Sequence, residues 1–264
     1  MITLSLFDLS LAALLVVALA LSSLRIYPVI AGQLAIAAVR TAIQLTLIGL
    51  VLKVLFANSH ILWVALLSLF MLAVAGREVM ARQHRRFSGW WGYGIGVVSM
   101  FISSFSVALF ALVIVIGNQP WYEPQYAIPL LGMLLGNTMN GIALALDRLT
   151  SSASEQREVI EARLMLGYSQ QEAIADIRQQ VFRTGLIPII NAMAAAGIVS
   201  LPGMMTGQIL AGAAPVEAVK YQILIMFLIS GGAGFGTLAA LHFGVRRLFD
   251  ERLRLRLDRL SGEA

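Results

Sequence analysis

Residues 94–116 read GIGVVSMFISSFSVALFALVIVI, a run without a single Asp, Glu, Lys or Arg. A helix needs about 20 apolar residues, rising about 1.5 Å each, to cross roughly 30 Å of hydrocarbon. A further run, Ile30–Phe56, is interrupted only by Arg40 and Lys53. Five more runs contain no charged residue: Leu9–Leu24, Ile61–Gly76, Ile128–Leu146, Leu186–Leu210 and Ile223–Phe243. The pattern predicts an all-α, polytopic helical membrane protein with about seven transmembrane helices.

The composition of the whole chain agrees with this prediction. Of its 264 residues, 59% are hydrophobic and only 12% are charged, whereas soluble domains carry about 25% charged residues. There is no cysteine, which excludes disulfides, thiolate metal ligands and cysteine nucleophiles. The formal charge of +5 comes from basic residues that flank the apolar runs, and we therefore expect no nucleic-acid partner.

The positions of the basic residues predict the orientation, because cytoplasmic loops are enriched in Lys and Arg. With seven spans, four basic sets fall on one side of the membrane. They comprise Arg25; Arg77, Arg82, Arg85 and Arg86; Arg148, Arg157, Arg163, Arg178 and Arg183; and Arg246, Arg247, Arg252, Arg254, Arg256 and Arg259. We therefore expect an outside amino terminus and a cytoplasmic carboxyl terminus. An even number of spans would break this agreement.

Two charged segments lie outside the spans of what we expect to be a single transmembrane domain, residues 1–264. The cytoplasmic segment 147–185 has Ser154 as a candidate N-cap and a helix break at Gly167 and Ser169, which predicts two short amphipathic helices. The tail, 247–264, has apolar residues at helical spacing from Phe249 to Leu260. It predicts a basic amphipathic helix that anchors at the membrane interface.

The segment 147–185 resembles the cytoplasmic loop by which permeases of ABC transporters contact their ATPase. Glu161, Ala162, Gly167 and Ile177 match that loop's pattern, in which Glu-Ala-Ala is followed by a glycine and an isoleucine. Arg163 replaces the second alanine, and no Leu-Pro pair follows the isoleucine directly. An ordinary solvated loop helix is the alternative interpretation of the same residues.

A second segment, 197–209, reads GIVSLPGMMTGQI. Pro202 lacks a backbone donor and Gly203 loosens the chain, so this segment predicts a helix break beside Ser200. Breaks within membranes mark transport sites or hinges. Met204 and Met205 could bind a soft metal through sulfur, or could be packing filler.

A third segment, 128–140, reads IPLLGMLLGNTMN. Gly132 and Gly136 have the spacing of a close helix-packing face. Asn137 and Asn140 lie three residues apart, and Asn191 is a possible hydrogen-bonding partner. Structural hydrogen bonding between helices and the lining of a polar pathway both remain open.

Span two contains a polar pair, Arg40 and Gln44, separated by one helical turn. An arginine at the bilayer centre costs about 2.5–3.5 kcal/mol. Arg40 is therefore expected either to snorkel to the cytoplasmic face or to face the bundle interior, and we favour the interior.

No catalytic motif is present in the sequence. It contains no HExxH, no GxSxG and no GxxxxGK[ST], so the chain has no P-loop with which to bind ATP. We expect a transport protein and not an enzyme, with no cofactor of its own.

Several strings together closely resemble one transporter family: Arg40-Thr-Ala-Ile-Gln44-Leu, Gly132-Met133 with Gly136-Asn137, Ser200-Leu-Pro202-Gly203-Met204-Met205, and Lys220-Tyr221-Gln222-Ile223. They are similar to the Fet-type iron-export permeases of bacteria and the related plant aluminium-tolerance permeases. The resemblance runs from Arg40 to the end of the seventh span.

This resemblance implies the permease subunit of an ATP-driven ABC exporter in the bacterial plasma (inner) membrane. A separate cytoplasmic ATP-binding subunit would hold ATP and Mg²⁺, and a second permease copy would complete a homodimer. It supports a coupling role for Glu161, Ala162, Gly167 and Ile177.

The resemblance also makes a second set of residues candidates for a pathway or hinge: Arg40, Gln44, Met133, Asn137, Asn140, Asn191, Ser200, Pro202, Gly203, Met204 and Met205.

Three functions remain open at this point. Iron or another metal is the first substrate class, although the spans are almost devoid of the carboxylates that hard metals prefer. Export of an organic substrate such as a nucleotide sugar is the second function. A passive channel or membrane scaffold without an ATPase is the third.

Overall fold

Long apolar windows fold as helices because hydrocarbon offers no partner for an unpaired backbone amide or carbonyl. The computed structural model describes residues 5–57 and 60–261. Within them, six helices are long and apolar enough to cross a membrane: Phe7–Leu24, Pro28–Ala57, Ile61–Ala81, Trp90–Ile116, Pro124–Glu155 and Pro215–Leu248. The predicted all-α, polytopic membrane fold is confirmed, whereas the count of seven spans and the orientation of the termini stay predictions.

The contacts divide the chain into two units, residues 1–60 and 61–264. Helices α1 (Leu6–Leu24) and α2 (Pro28–Ala57) form the first. Helix α1 begins with a capping box, in which Ser5 Oγ accepts from the backbone amide of Asp8 and the Asp8 carboxylate accepts from the Ser5 amide at 2.7 Å. Almost every described side chain of this unit is exposed, so its apolar faces are available to lipid or to other protein.

The second unit contains the remaining elements. In chain order they are α3 (Ile61–Ala81), β1 (Arg86–Phe87), α4 (Trp90–Met100), α5 (Ser106–Phe110), α6 (Pro124–Glu155), α7 (Arg157–Met165), α8 (Gln170–Ala173), α9 (Ala175–Ala195), α10 (Gly203–Leu210), α11 (Pro215–Leu248) and β2 (Leu260–Ser261). Two π-helical stretches, Phe101–Phe105 and Ala111–Ile116, extend α4 and α5 into one apolar rod. Helices α6 and α11 provide most of the buried side chains.

The closest helix packing in this unit joins α6, α9 and α11. A Cβ added at Gly185 would lie 2.7 Å from Thr237 Cγ2 and 2.9 Å from the carbonyl oxygen of Gly141. By contrast, a Cβ at Gly136 would meet nothing within 4 Å, and one at Gly132 would meet only Met71 Cε, at 3.3 Å. The predicted close packing at the 132–136 spacing is therefore wrong for Gly136, and the tight approach of backbones lies one to two turns further along α6.

The apolar run Leu186–Leu210, which was predicted to contain a break, folds as two helices. Helix α9 ends at Ala195, and α10 begins only at Gly203. Near the end of α9, Ser230 Oγ lies 2.7 Å from the sulfur of Met193, and in α10 the amide of Met205 donates to Gln222 Oε1 at 3.3 Å. Residue numbers rise along α9 and α10 where those of their partners on α11 fall. The two helices therefore run antiparallel to α11.

One end of the second unit carries most of its arginines, and we call it the arginine-rich end: residues 77–88, 147–183 and 246–261. Its parts are joined by hydrogen bonds, because the His84 amide donates to Asp147 Oδ1 at 2.7 Å and the Ser88 amide donates to the Arg259 carbonyl at 2.8 Å. The short antiparallel pair β1–β2 aligns Arg86 with Ser261. Three basic segments that are distant in sequence thus meet at one end.

The predicted amphipathic helix from Phe249 to Leu260 is wrong. Phe249 is extended and buried, and the chain then turns so that the carboxylate of Asp250 accepts from the amides of Arg252 and Arg254 at 3.0 and 2.9 Å. An aspartate that binds the amides just after it stabilises a turn in competition with a helix. Leu253 has φ +60°, which a helix cannot accommodate. The spaced leucines therefore belong to a folded turn.

Candidate functional site

The bend between α7 and α8 is built by local hydrogen bonds. Gly167, at φ +90°, donates to the Leu164 carbonyl, and the Tyr168 amide donates to the Arg163 carbonyl, at 3.0 and 3.2 Å. This pair of bonds is a Schellman motif, which requires a left-handed residue that glycine supplies without a Cβ penalty. The helix break predicted at Gly167 is confirmed.

Ser169 starts the next helix. Its Oγ accepts from the Glu172 amide at 3.4 Å, and the Glu172 carboxylate accepts from the Ser169 hydroxyl and amide at 2.7 and 2.9 Å. These two bonds, the hydroxyl bond first, lower the pKa of Glu172. The candidate N-cap at Ser154 is wrong, since α6 continues through it to Glu155. Its hydroxyl instead accepts from the Arg85 guanidinium.

The bend is attached to the rest of the unit on its inner side. Ile160 of α7 and Ile174, Ile177 and Val181 of α8–α9 are all at most 3% exposed. The Arg163 guanidinium pairs with Asp176 at 2.8 Å and donates to the Ala173 carbonyl at 3.2 Å. The bend is therefore a supported protrusion, and a displacement of it must also displace the start of α9.

The outer side of the bend presents apolar side chains to water. Met165 is 83% exposed, Leu166 is 77% exposed and Tyr168 is 49% exposed. We call residues 165–168 the apolar tip. Three large apolar side chains left uncovered in a segment otherwise rich in charge are typical of a surface that contacts protein or membrane. Sequence reasoning missed this tip, although the run Leu164-Met-Leu-Gly-Tyr168 within a charged loop was a usable signal.

The structure separates the four predicted coupling residues into different positions. Gly167 forms the bend, and Ala162 is exposed on α7. Glu161 pairs with Arg157 at 2.8 Å on the surface of α7. Ile177 is 3% exposed, so it supports the bend from inside and cannot itself contact a partner. Their role in coupling stays a prediction.

The predicted break at 197–209 is present, and the chain makes it with backbone hydrogen bonds. Gly197, at φ +82°, donates to the Ser200 carbonyl at 2.9 Å, and the Ser200 amide donates back to the Ala195 carbonyl at 3.1 Å. Pro202 is the N-cap of α10, where its missing donor costs nothing. Gly203 is the first residue of α10.

Two half-buried methionines follow the break. Met204 and Met205 lie in the first turn of α10. The Met205 amide is one of the amides that a helix leaves unpaired at its start, and Gln222 of α11 satisfies it. Gln222 is 8% exposed, so this hydrogen bond fixes the start of α10 against α11.

The predicted cluster of three asparagines does not form. Asn137 donates to the Met133 carbonyl of its own helix at 2.8 Å, and Asn140 accepts from the guanidinium of Arg82, in the turn that follows α3. In the described part of the chain, Asn191 bonds to neither of them and is exposed on α9. Among the described residues, only Asn140 of the three bonds to a side chain outside its own helix, and its partner Arg82 belongs to the basic set that follows the third span.

Arg40 and Gln44 lie one turn apart on α2, both on exposed parts of that helix. They belong to the first unit, so the pathway role expected of them stays a prediction. Among residues 5–57 and 60–261, no group of three or more His, Asp and Glu residues is placed to hold a metal ion.

Comparison with known proteins identifies the family. A model of the family UPF0014, described as an uncharacterised protein family, matches residues 6–249. The chain belongs to the UPF0014 family. This UPF0014 chain is 40% identical over 228 residues to a UPF0014 membrane protein of Synechocystis, a match that covers 85% of the chain and 86% of that relative.

Two further relatives carry functional names. The "Probable iron export permease protein FetB" of Escherichia coli is 30% identical to this UPF0014 chain, over 84% of the chain and 83% of the relative. The protein ALUMINUM SENSITIVE 3 of Arabidopsis thaliana is 29% identical, over 88% and 83%. No solved structure matches the chain significantly.

Proposed function

We propose that this chain is the permease subunit of an ATP-driven exporter, with ATP hydrolysis in a separate cytoplasmic subunit. The apolar tip is the observation that carries this proposal. The chain has no P-loop, so energy from ATP must enter through contact with another protein. A rigid protrusion with uncovered apolar side chains, Met165 and Leu166 above all, suits such a contact.

The proposal places the arginine-rich end in the cytoplasm and α9–α10 across the membrane as a broken span, the sixth of seven in chain order. The antiparallel course of α9 and α10 beside α11 supports this count, and the concentration of arginine at one end supports the direction. The protein then lies in the bacterial plasma (inner) membrane, as its bacterial relatives among the UPF0014 membrane proteins suggest.

A mechanical route from the tip to the break is available in the second unit. The tip is held to α9 by the Arg163–Asp176 ion pair, and α9 leads directly to the break at 196–202. On the far side of the break, Gln222 of α11 accepts a hydrogen bond from the Met205 amide and holds the start of α10. In the proposed transporter, movement of the tip changes the angle between α9 and α10, and a second permease copy completes the pathway.

Iron or another metal ion is the proposed cargo, in line with the relative named as an iron export permease. The described residues hold no cluster of His, Asp and Glu for it. Transient contact with soft or neutral ligands, such as the sulfurs of Met204 and Met205, suits a cargo that must leave again. Tight carboxylate coordination would instead retain the ion.

An organic substrate such as a nucleotide sugar is the second candidate. The same lack of a metal-ligating cluster favours it, and the exposed amides of Asn137 and Asn191 could hydrogen-bond to a sugar. A passive channel or scaffold remains the third reading, and it requires no partner at the tip.

The deciding experiment is to extract the tagged chain in mild detergent and identify what accompanies it. A stoichiometric P-loop ATPase, whose activity is then stimulated by iron salts or by nucleotide sugars, supports the exporter and selects its cargo. A chain that emerges alone under several mild conditions would favour the channel or scaffold.

The tip is tested in the same preparation by Met165→Ser with Leu166→Ser. We expect at least a tenfold loss of ATPase association, because two exposed side chains that become buried in an interface contribute about 1.5–3 kcal/mol each. Leu253→Ser is the matched control: Leu253 is 49% exposed at the same end but outside the tip. Equal loss in both variants would refute a docking role specific to the tip.

A further inference from the structure

A cavity of about 520 Å³ opens at the arginine-rich end between the start of α4 and the end of α11. Trp90, Trp91 and Phe243 line its apolar side, and Arg246, Arg247 and Arg259 line its polar side. Among the described residues, no carboxylate lines it. A cavity with an aromatic wall beside three guanidinium groups has the chemistry to bind a molecule with an apolar body and an anionic head.

The charges in this cavity are not neutralised within the described residues. Neither Arg246 nor Arg247 forms an ion pair there, and Arg247 Nε is buried without a hydrogen-bond partner. Asp258, the neighbour of Arg259 in the tail, accepts two hydrogen bonds of 2.8 Å from Arg256. Like charges held together without a counterion are unfavourable, so an anion is the missing component.

The arginines are also held in place. The Arg247 guanidinium carbon lies 4.6 Å from the centre of the Trp91 ring, a cation–π distance. Arg259 donates to the carbonyls of Arg247 and Phe249 at 3.0 and 3.3 Å, which brings the tail over the end of α11. The folded turn of the tail, and not an amphipathic helix, therefore supplies the third guanidinium.

The aromatic wall faces outward. Trp90 is 85% exposed and Trp91 is 54% exposed, at the ends of membrane helices where tryptophan lies among lipid headgroups. Clustered arginines at the cytoplasmic end of membrane helices attract anionic lipids, and the planar guanidinium binds phosphate through two parallel hydrogen bonds.

We propose that this cavity binds the headgroup of an anionic phospholipid of the cytoplasmic leaflet. The phosphate contacts Arg246, Arg247 and Arg259, and the upper acyl chains lie against Trp90 and Phe243. The bound lipid joins α4, α11 and the tail, and it supplies the negative charge that the described residues leave out.

The test uses the tryptophans as reporters. The chain has four tryptophans, so Trp63→Phe with Trp121→Phe leaves Trp90 and Trp91 as the only fluorophores of their kind. The full-length chain in this background is placed in vesicles of dioleoylphosphatidylcholine that contain increasing fractions of brominated phosphatidylglycerol or, separately, brominated phosphatidylcholine. Bromine quenches tryptophan fluorescence only at close range.

We expect brominated phosphatidylglycerol to quench at a much lower mole fraction than brominated phosphatidylcholine. An arginine near anionic headgroups changes affinity by about fivefold. Arg246→Gln with Arg247→Gln should therefore reduce the preference for phosphatidylglycerol over phosphatidylcholine about 30-fold. Arg246→Gln alone should reduce this preference about fivefold. Equal quenching of the unaltered cavity by the two lipids would overturn the proposal without any arginine variant.

The matched control is Arg148→Gln with Arg183→Gln, which removes the same charge from exposed positions at the same end but outside the cavity. It should keep the preference. If the control loses the lipid preference to the same extent, the effect comes from general surface charge and the proposed site is wrong. Reversal of the quenching by millimolar inorganic phosphate, with lipid composition fixed, would assign the cavity to a soluble anion and overturn the lipid.

Discussion

The bend at Gly167 allows the backbone contribution of one residue to be separated from side-chain packing. Its φ of +90° lies in the region that residues with a Cβ rarely adopt, and a Cβ added there would meet nothing within 4 Å. A substitution at Gly167 therefore changes the conformational preference of the chain without creating a clash. No other feature of the proposed coupling element can be altered so cleanly.

Gly167→Ala should raise the free energy of the bent conformation by about 1–2 kcal/mol, the usual cost of a left-handed conformation for a residue with a Cβ. That shift reduces the ratio of bent to unbent chain by a factor of roughly 5–30. Gly167→Asn should have a smaller effect, since asparagine tolerates this region. Gly167→Pro should abolish the bend, because proline fixes φ near −65° and cannot donate to the Leu164 carbonyl.

The assay is ATPase activity of the co-purified complex, together with hydrogen exchange of the amides between 163 and 173. We expect ATPase activity to fall, and hydrogen exchange to rise, in the order glycine, asparagine, alanine and proline at position 167. The protein should remain inserted in the membrane in every case. If the Gly167→Ala and Gly167→Pro variants show the same hydrogen exchange and the same ATPase activity as the unaltered chain, the bend has no part in coupling. If exchange rises but hydrolysis is unchanged, the bend is structural and the coupling proposal fails.

Three further predictions follow from other contacts. Gly185→Ala should lower the free energy of unfolding by about 1–3 kcal/mol, because its Cβ would overlap Thr237. A thermal melt in detergent measures this change. Gly207→Ala is the control, since a Cβ there would meet nothing within 4 Å, and it should change the melting midpoint far less. Asp258 has its pKa lowered from 3.8 to about 2 by hydrogen bonds from Arg256, so its stabilisation of the tail is complete above about pH 4 and is lost as the pH falls through about 2. Pepsin cleavage of the tail between pH 4 and 1.5 should rise across that window, and no such transition should appear in Asp258→Asn. Replacing Met204 and Met205 by Leu should weaken stimulation of the ATPase by metal while leaving basal hydrolysis intact, and an equal loss of both would indicate packing alone.

The membrane helices were predictable from sequence because the absence of charge over about 20 residues has few other physical explanations. The break at Gly167 was predictable for a similar reason, since glycine and Ser169 are strong local signals. The break at 197–209 was predicted from Pro202, but the left-handed turn that starts it is at Gly197.

The failures concern contacts that the spacing of apolar residues does not report. Spaced leucines in the tail suggested a helix, but the Asp250 carboxylate and the pairing of 86–87 with 260–261 stabilise a turn there. Asn140 was expected to meet another asparagine and instead meets Arg82. Asp250 was a local signal for the turn. The strand pairing and the bond to Arg82 have none, because they depend on which segments the fold brings to one end.

The π-helical stretches of the Trp90–Ile116 rod have a consequence for how this family should be aligned. A π-turn is equivalent to one residue inserted into an α-helix, and one residue corresponds to about 100° of rotation. Helical-wheel drawings of this rod therefore assign the wrong face beyond each stretch, Phe101–Phe105 and Ala111–Ile116. A relative that is one residue shorter within either stretch should be aligned with a gap at that point, so that the residues after it keep the same neighbours on α11.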